Sequence, residues 1–434
     1  MSRKAAWILL IVFAIAVAEY GAAYPPGSTW LQAAPEHSET RRQLSTLVTG
    51  PLSTVTASRS STYRQTTSGT RVRFETQSGA DYVYLLFLNE QRGRFPIAGR
   101  GNWVIRRRVE DGAFDQVKIF LADHADFFVR IFPRGTRSVM DVIMAGDTIY
   151  RGVAIPFEFE QVLLRPFADI QRATQEIVDW GLFEPPPVGA EYAAVETMVD
   201  RLRPALAMLP DAEDGAMDRH GNLVFIESLV LQDQEPGFNC SGFAKWVVDG
   251  IYHSLTGRYL DIDALKVRHI GTRGHRWSDR YEQERDPFFG LDWSRNLALA
   301  SRQLDYGEHQ SDPTAADVGS VAFARAVPNV GFEVDELSRV LYLLAREEPG
   351  YFYIGSLNRE FGSQPTLRQH VHIVVIFPYF DAQGRYRVVV MERNVESSLA
   401  SLQRRYAGDA IHLVRVRASG QFQPPIIGNA AFVE

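Results

Sequence analysis

The chain contains a single cysteine, Cys240. Its thiol has no partner for a disulfide within the chain, and a zinc site made of several cysteines is excluded as well. The fold must therefore be held by an apolar core, which is feasible because 45% of the 434 residues are hydrophobic. The thiol itself is either a small buried group or a reactive one.

Charge and length limit the function classes. Lys and Arg number 46 and Asp and Glu 52, a net charge of -6, so no general electrostatic case exists for a nucleic-acid binder. At about 150 residues per domain, two or three domains are expected.

The N-terminus is typical of a secretory signal. Basic residues in 2–4 precede an apolar run over 5–18, and small residues suited to cleavage follow, so we expect a signal peptide over 1–23. The run is shorter than the roughly 20 residues of a membrane-spanning helix, although an uncleaved anchor stays an alternative. We expect no other membrane span and a periplasmic or secreted protein.

Composition divides the rest of the chain. Residues 24–70 are rich in Ser, Thr, Pro and Gly, which favours a flexible leader. Strand-like runs over 71–155 predict a small all-β domain of the sandwich type. Amphipathic residues over 156–187 predict a helical linker that ends at a run of three prolines, and the last domain then spans 188–434.

The predicted β domain has a basic stretch. Residues 62–108 carry nine arginines against three acidic residues, Glu75, Asp81 and Glu90. This stretch could contact an anionic polymer of the cell envelope, and a solvated charged surface is the alternative.

The pattern around Cys240 predicts a helix. Asn239 is a suitable N-cap, an apolar face recurs through Phe243 and Val247, and Gly257 is a natural stop. On the first turn, unpaired N–H groups and the helix dipole favour a thiolate. With Ser241 beside the cap, the same N–H groups could hold an oxyanion. The alternative is a buried cysteine that opens a core helix.

A thiolate nucleophile needs an imidazole, and two histidines lie in one predicted strand. Gln369–Phe377 and Arg387–Asn394 are strand-like, with a turn at Asp381–Gly384 between them. We expect the even positions of the first strand, which include His370 and His372, to share one face.

The pairing of this hairpin has two possible registers. If paired residue numbers sum to 764, His370 faces Asn394 and His372 faces Glu392. If they sum to 766, His372 faces Asn394. Either register puts an imidazole near a polar partner, and the sequence does not choose between them.

Two blocks of sequence resemble a known superfamily. Cys240-Ser241-Gly242-Phe243 resembles the nucleophile motif of NlpC-type cysteine peptidases, and His370-Val371-His372-Ile373-Val374 resembles their histidine strand. Glu392-Arg393-Asn394 is similar to the Glu-x-Asn end of their CHAP relatives.

The resemblance implies a fold and an activity. It implies an α+β, papain-like domain with the cysteine helix packed on an antiparallel sheet, interrupted here by an insertion over about 258–350. It also implies hydrolysis of peptide or amide bonds in peptidoglycan or another envelope polymer, without a cofactor. By resemblance Cys240 is the nucleophile, His370 the base, and Asn394 or Glu392 the orienting group, with His372 an alternative base.

Other functions stay open. His370, His372 and Glu392 have the residue types of a metal site, whereas His269 and His275 lie in an arginine-rich stretch that favours solvent contact. A non-catalytic envelope protein that binds a glycan or partner on the same fold is a third possibility. An acyl transferase or lipid amidase would use the same residues, because fold does not determine substrate.

Overall fold

The computed structural model describes residues 36–427 except 67, 185, 188, 270–275, 280–285 and 307–311. The predicted signal peptide and the first part of the predicted leader lie outside these residues. No helix within the described part is both long and apolar enough to cross a membrane. The chain is mixed α+β and divides into two units, one of residues up to Asp141 with Tyr150–Glu184, the other of Val142–Ile149 with Pro185 onward.

The first unit is built on one sheet. Eight strands pair in chain order, and Val142–Ile149 of the last two are grouped with the second unit. Burial alternates along the second and fourth strands, so that Val72 and Phe74 of the one and Trp103 and Ile105 of the other are buried. The predicted sandwich is therefore wrong, because the strands form one continuous sheet and not two. The strands are β1 (Ser61–Arg64), β2 (Arg71–Ser78), β3 (Tyr82–Asn89), β4 (Trp103–Arg108), β5 (Phe114–Phe120), β6 (Phe128–Arg134), β7 (Arg137–Met144) and β8 (Asp147–Ile155).

The helices of this unit correct two expectations. They are α1 (Ser38–Gln43), α2 (Ser45–Thr49), α3 (Leu52–Thr56), α4 (Phe159–Leu164), α5 (Phe167–Thr174) and a 3-10 turn at Trp180–Phe183. The first three and β1 lie where a flexible leader was expected, and the predicted linker belongs to the same unit.

Buried polar contacts explain the ordered leader. The Arg41 guanidinium lies 3.5 Å from the centre of the Trp103 ring and donates to Glu36 at 2.6 Å. It also donates to the Leu163 carbonyl at 2.5 Å. Because these polar groups find partners inside the unit, a polar composition is compatible with order here.

The strands of the second unit are β9 (Ala216–Met217), β10 (Leu223–Val224), β11 (Phe332–Glu333), β12 (Tyr351–Phe361), β13 (Leu367–Phe380), β14 (Tyr386–Glu392), β15 (Val395–Ser397) and β16 (Ala410–Arg417). The first two pair with each other, and the other six form an antiparallel sheet in the order β11-β16-β12-β13-β14-β15. Its helices are α6 (Ala190–Leu206), α7 (Cys240–Thr256), α8 (Ile262–Leu265), α9 (Asp286–Phe289), α10 (Leu291–Tyr306), a 3-10 turn at Val334–Glu336, α11 (Leu337–Glu347) and α12 (Leu399–Arg405).

The centre of this sheet is apolar on both faces. Ile373–Phe377 of β13 are all buried, as a strand covered by helices on both sides requires. On one face Leu357, Val374 and Ile376 pack in a cluster with Leu337 and Leu341 of α11. The sequence signal of a continuous apolar run thus marks the central strand.

The start of α7 lies very close to another backbone segment. A Cβ atom on Gly242 would lie 1.9 Å from the Gly215 carbonyl oxygen, and that oxygen accepts a hydrogen bond from the Asn239 N–H at 3.1 Å. Only glycine permits this approach. The segment before β9 therefore positions the first turn of the helix.

Gly242→Ala should lower the free energy of unfolding by about 1–3 kcal/mol, because its methyl group cannot fit against the Gly215 backbone. Urea unfolding measures this. Gly319→Ala is the control, since its Cβ would meet nothing within 4 Å, and it should change stability by less than about 0.5 kcal/mol. Equal stability of Gly242→Ala and the parent would contradict the described contact.

Candidate active site

Cys240 is the first residue of α7. The Asn239 side chain accepts a hydrogen bond from the Gly242 N–H at 2.8 Å, as an N-cap does, and the helix ends before Gly257, whose φ is 72°. Cys240 is 3% exposed. The thiol therefore lies at the positive end of a capped 17-residue helix.

A β-bulge separates the two candidate histidines. Leu357 of β12 pairs with His372, but the next residue, Asn358, pairs with His370, so Val371 is an extra residue in β13. Paired residues share a face, and Leu357 and Asn358 lie on opposite faces. His370 and His372 consequently point to opposite faces of the sheet, and the expectation that the even positions share one face is wrong.

His370 lies on the face of Asn358, away from the thiol contact. Its side chain is buried, and its ring stacks on Trp277 with 4.6 Å between centroids and 23° between planes. The preferred base of the sequence prediction is thus a packed histidine, and its alternative lies nearest to Cys240.

The same bulge bears on the metal hypothesis. One ion cannot be bound by two imidazoles that point to opposite faces of a strand, so His370 and His372 do not form a chelating pair. Among the residues described, no three His, Cys, Asp or Glu side chains are grouped to hold a metal ion. His269 hydrogen-bonds Asn296 at 2.9 Å, and His275 lies outside the described residues.

His372 joins the thiol to a carboxylate. Its Nε2 lies 2.9 Å from Glu392 Oε2, and the imidazole is hydrogen-bonded to the Cys240 thiol. Because Nε2 is engaged with Glu392, Nδ1 is the ring nitrogen that is left for the sulfur. The structure thus brings Cys240, His372 and Glu392 into one hydrogen-bonded chain.

The register of the hairpin explains the choice of carboxylate. Val375 pairs with Met391 and Ile376 with Val390, so paired numbers sum to 766. Continued ladder pairing would put Asn394 opposite His372. Instead β14 ends at Glu392, which pairs with Val395 across a turn of two residues.

The turn removes Asn394 from the imidazole. Its amide donates to the Leu209 carbonyl at 3.4 Å, whereas Glu392, diagonal to His372 across the ladder, reaches the ring. Asn394, one of the two predicted orienting groups, therefore contacts a neighbouring loop. Glu392 is the residue that contacts the histidine.

The end of β14 also makes room for the thiol. In this register Ile373 would face Arg393, but the strand has already ended, and the Ile373 N–H donates to the Cys240 sulfur instead. The helix N-terminus therefore occupies the side of β13 that β14 leaves uncovered. This position lets Cys240 reach His372 from the edge of the sheet.

The three groups shift one another's pKa. Burial raises the pKa of the Cys240 thiol, but the hydrogen bond and charge of His372, the Ile373 N–H and the Arg393 charge outweigh it, so the pKa lies below its ordinary value. Burial lowers the pKa of His372, yet its bonds to Cys240 and Glu392 raise it to about 9. Both shifts favour a thiolate beside an imidazolium over the neutral pair.

Glu392 is held as a carboxylate. Burial raises its pKa, but hydrogen bonds from His372 and Arg405 lower it to about 2. Arg405 donates to Oε1 while His372 contacts Oε2, so both oxygens have partners. The charge opposite the imidazolium is permanent at neutral pH.

Tyr406 and Arg405 extend the site beyond the predicted residues. The Tyr406 ring lies nearly parallel to His372, with 6.1 Å between centroids, and Arg405 lies 5.4 Å from the Tyr406 ring. Both residues belong to the end of α12 and the segment after it. No local sequence pattern marks them, because their role depends on the packing of α12 near the end of β14.

Ser241 is buried next to the nucleophile. Its carbonyl accepts a hydrogen bond from the Trp293 indole at 3.0 Å, while its hydroxyl has no hydrogen-bond partner within the described part of the chain. The Trp293 contact fixes the backbone of the first turn. The cap bond at Gly242 and this contact together hold the N–H groups beside Cys240.

Comparison with known proteins gives one match. Residues 31–182 match a family model described as a domain of unknown function (DUF8515). This match covers the β-rich part of the chain and includes none of the candidate site residues. No curated protein and no solved structure matches the chain.

His372→Ala should raise the pKa of the Cys240 thiol above its ordinary value of about 8.5, because burial then acts without the imidazolium. The pH dependence of iodoacetamide alkylation measures this, and the wild type should reach half-maximal rate well below pH 8.5. His370→Asn is the matched control and should keep the low midpoint. A high midpoint in His370→Asn but not in His372→Ala would contradict the described geometry.

Proposed function

We propose that the protein is a secreted or periplasmic cysteine hydrolase that cleaves peptide or amide bonds. The hydrogen-bonded chain Cys240–His372–Glu392 at the start of a capped helix is the observation that carries this proposal. A thiolate, an imidazole within hydrogen-bond reach and a group that orients the imidazole are the parts that nucleophilic acyl transfer needs. The helix–sheet arrangement also supports a papain-like fold of the NlpC and CHAP type for the second unit.

The mechanism assigns a role to each group. The Cys240 thiolate attacks the carbonyl carbon, and the carbonyl electron pair moves onto oxygen. The imidazolium of His372 then gives its proton to the leaving amine as the C–N bond breaks, which leaves a thioester and a neutral imidazole. His372 next removes a proton from water, whose oxygen attacks the thioester and releases the thiolate and a carboxylic acid.

Glu392 and the helix terminus support this cycle. The carboxylate stabilises the imidazolium and keeps Nδ1 directed at the sulfur, since Nε2 is bonded to it. Asn239 uses the N–H groups of Gly242 and Phe243. The N–H groups of Cys240 and Ser241 are then the first-turn donors for the oxyanion of the tetrahedral intermediate.

The substrate class rests on the resemblance and on the predicted secretory signal. Both favour bacterial peptidoglycan, whose peptides contain the amide bonds that NlpC-type enzymes cut. Hydrolysis needs no metal or organic cofactor in this scheme, because the thiolate, imidazole and water supply every bonding change.

Digestion of purified peptidoglycan tests the proposal. The wild type should release fragments with new amino groups and carboxyl groups, identified by mass. Cys240→Ala should release none, while His370→Asn should release the same fragments as the wild type. Equal fragment patterns from the wild type and Cys240→Ala would remove the proposal of a Cys240 hydrolase, and release of no fragments by either protein would favour a non-catalytic envelope-binding protein.

Hydrolysis and alkylation should diverge at high pH. Above about pH 9 His372 loses its proton, so no acid is present to protonate the leaving amine, and the hydrolysis rate should fall. Alkylation needs only the thiolate and should not fall there. A hydrolysis rate that keeps rising to pH 10.5, measured over the range in which circular dichroism shows a folded protein, would contradict His372 as the acid.

Glu392→Gln should lower the hydrolysis rate by about a hundredfold or more, because the amide orients the imidazole without stabilising its charge. The pKa of His372 should fall from about 9, which narrows the active pH range from the alkaline side. The pH profile of hydrolysis by the variant measures both effects. Asn394→Ala is the comparison and should keep the parent's alkaline limit.

A further inference from the structure

Arg393 occupies a constrained position beside the proposed site. It follows Glu392 directly, in the turn of two residues between β14 and β15, and its φ is 51°. A left-handed conformation is uncommon for a residue with a long side chain and costs free energy that other contacts must offset. The turn therefore places this side chain where an extended strand would not.

An ion pair holds the guanidinium in place. Arg393 Nη1 donates to Asp211 Oδ1 at 2.6 Å. Asp211 forms a parallel bridge with Phe238, and the neighbouring Ala212 N–H donates to the Phe238 carbonyl at 3.0 Å. Phe238 lies two residues before Cys240, so the contact joins the turn after Glu392 to the segment that leads into the cysteine helix.

Most N–H groups of the Arg393 guanidinium bind no other group within the described residues. Within the described residues Arg393 donates to Asp211 alone, although a guanidinium carries five N–H groups. Its side chain is 39% exposed, whereas Cys240 is buried. The remaining donors are therefore accessible to a bound molecule next to a shielded sulfur.

Arg393 lies between two segments that form the site, because it binds Asp211, which bridges to Phe238, and follows Glu392, which binds His372, and its charge coupling to the thiol agrees with this position. The charge of Arg393 lowers the pKa of Cys240. Burial lowers the pKa of Arg393, but the Asp211 contact and the charges of Cys240 and Tyr406 outweigh it and raise that pKa. The other charged groups that face the sulfur are His372 from β13 and, behind it, Glu392 and Arg405. Arg393 is thus a second cation near the sulfur, and it does not exchange its proton at neutral pH.

We propose that Arg393 is a catalytic residue whose guanidinium donates to the acyl oxygen of the substrate as the Cys240 sulfur attacks the carbonyl. This role rests on the proposed function. As the C–S bond forms, the carbonyl electron pair becomes a negative charge on oxygen, and a fixed cation with free N–H groups stabilises that charge more than the neutral carbonyl. The cation complements the first-turn N–H groups of α7.

An aldehyde tests this role without turnover. N-acetyl-alaninal adds reversibly to a thiolate, forms a C–S bond and leaves an oxygen that the same donors would bind. Protection of Cys240 from iodoacetamide by this aldehyde measures the affinity. Arg393→Gln should bind the aldehyde about tenfold more weakly than the wild type, and Arg393→Lys should recover part of the loss because it keeps the charge.

The thiol pKa and the kinetics give two further readouts. Arg393→Gln should raise the alkylation midpoint by about one pH unit or less, and with a peptide fragment that the wild type cleaves it should lower kcat with KM nearly unchanged. Asp211→Asn is the control, because it removes the ion pair but leaves the Arg393 charge, so its alkylation midpoint should stay near that of the wild type.

The outcomes separate this role from the proposed function. Equal aldehyde protection of the wild type and Arg393→Gln would overturn the role of Arg393 alone. So would a variant whose KM rises while its kcat stays that of the wild type. Absence of aldehyde protection in the wild type would contradict a reactive acyl site, and the proposed function with it.

Discussion

The hydrogen bond between the Cys240 thiol and His372 depends on where two strands stop being regular. The bulge at Val371 turns His372 to the face opposite His370, and β14 ends at Glu392, which leaves the Ile373 N–H for the sulfur. A regular β13 paired along its whole length would offer neither feature. Irregular pairing is here the means by which a helix terminus reaches the edge of a sheet and meets an imidazole.

The site is a chain of alternating charges. Arg405, Glu392, His372 and Cys240 follow one another as cation, anion, cation and anion, and Arg393 adds a cation at the far end. Each charge lowers the free energy of its neighbours in a partly buried environment, where isolated charges would be costly. The shifts in the pKa of Cys240 and of His372 both favour a thiolate beside an imidazolium.

The supports of the site come from distant parts of the second unit. Gly215 contacts the first turn of α7, Trp293 of α10 holds the Ser241 carbonyl, and Asp211 contacts Arg393. Several of these residues lie before the helix or in the predicted insertion. Part of the predicted insertion thus supports the cysteine helix, since Trp293 of α10 binds the Ser241 carbonyl. The first unit is a separate unit, and the family match of residues 31–182 falls on it.

Local sequence determined the elements. The helix begins after Asn239 and ends before Gly257, as predicted, because capping depends on a few neighbouring residues. The apolar run of β13 likewise predicted a buried strand. The prediction of a flexible leader was wrong, because polar groups of this segment bind partners far along the chain. The Arg41 guanidinium, for example, contacts Trp103 and the Leu163 carbonyl. The choice of His372 over His370, and of Glu392 over Asn394, was made only by tertiary structure. A bulge and a strand end arise from pairing between distant segments, so the alternation of side chains along one strand does not predict either of them.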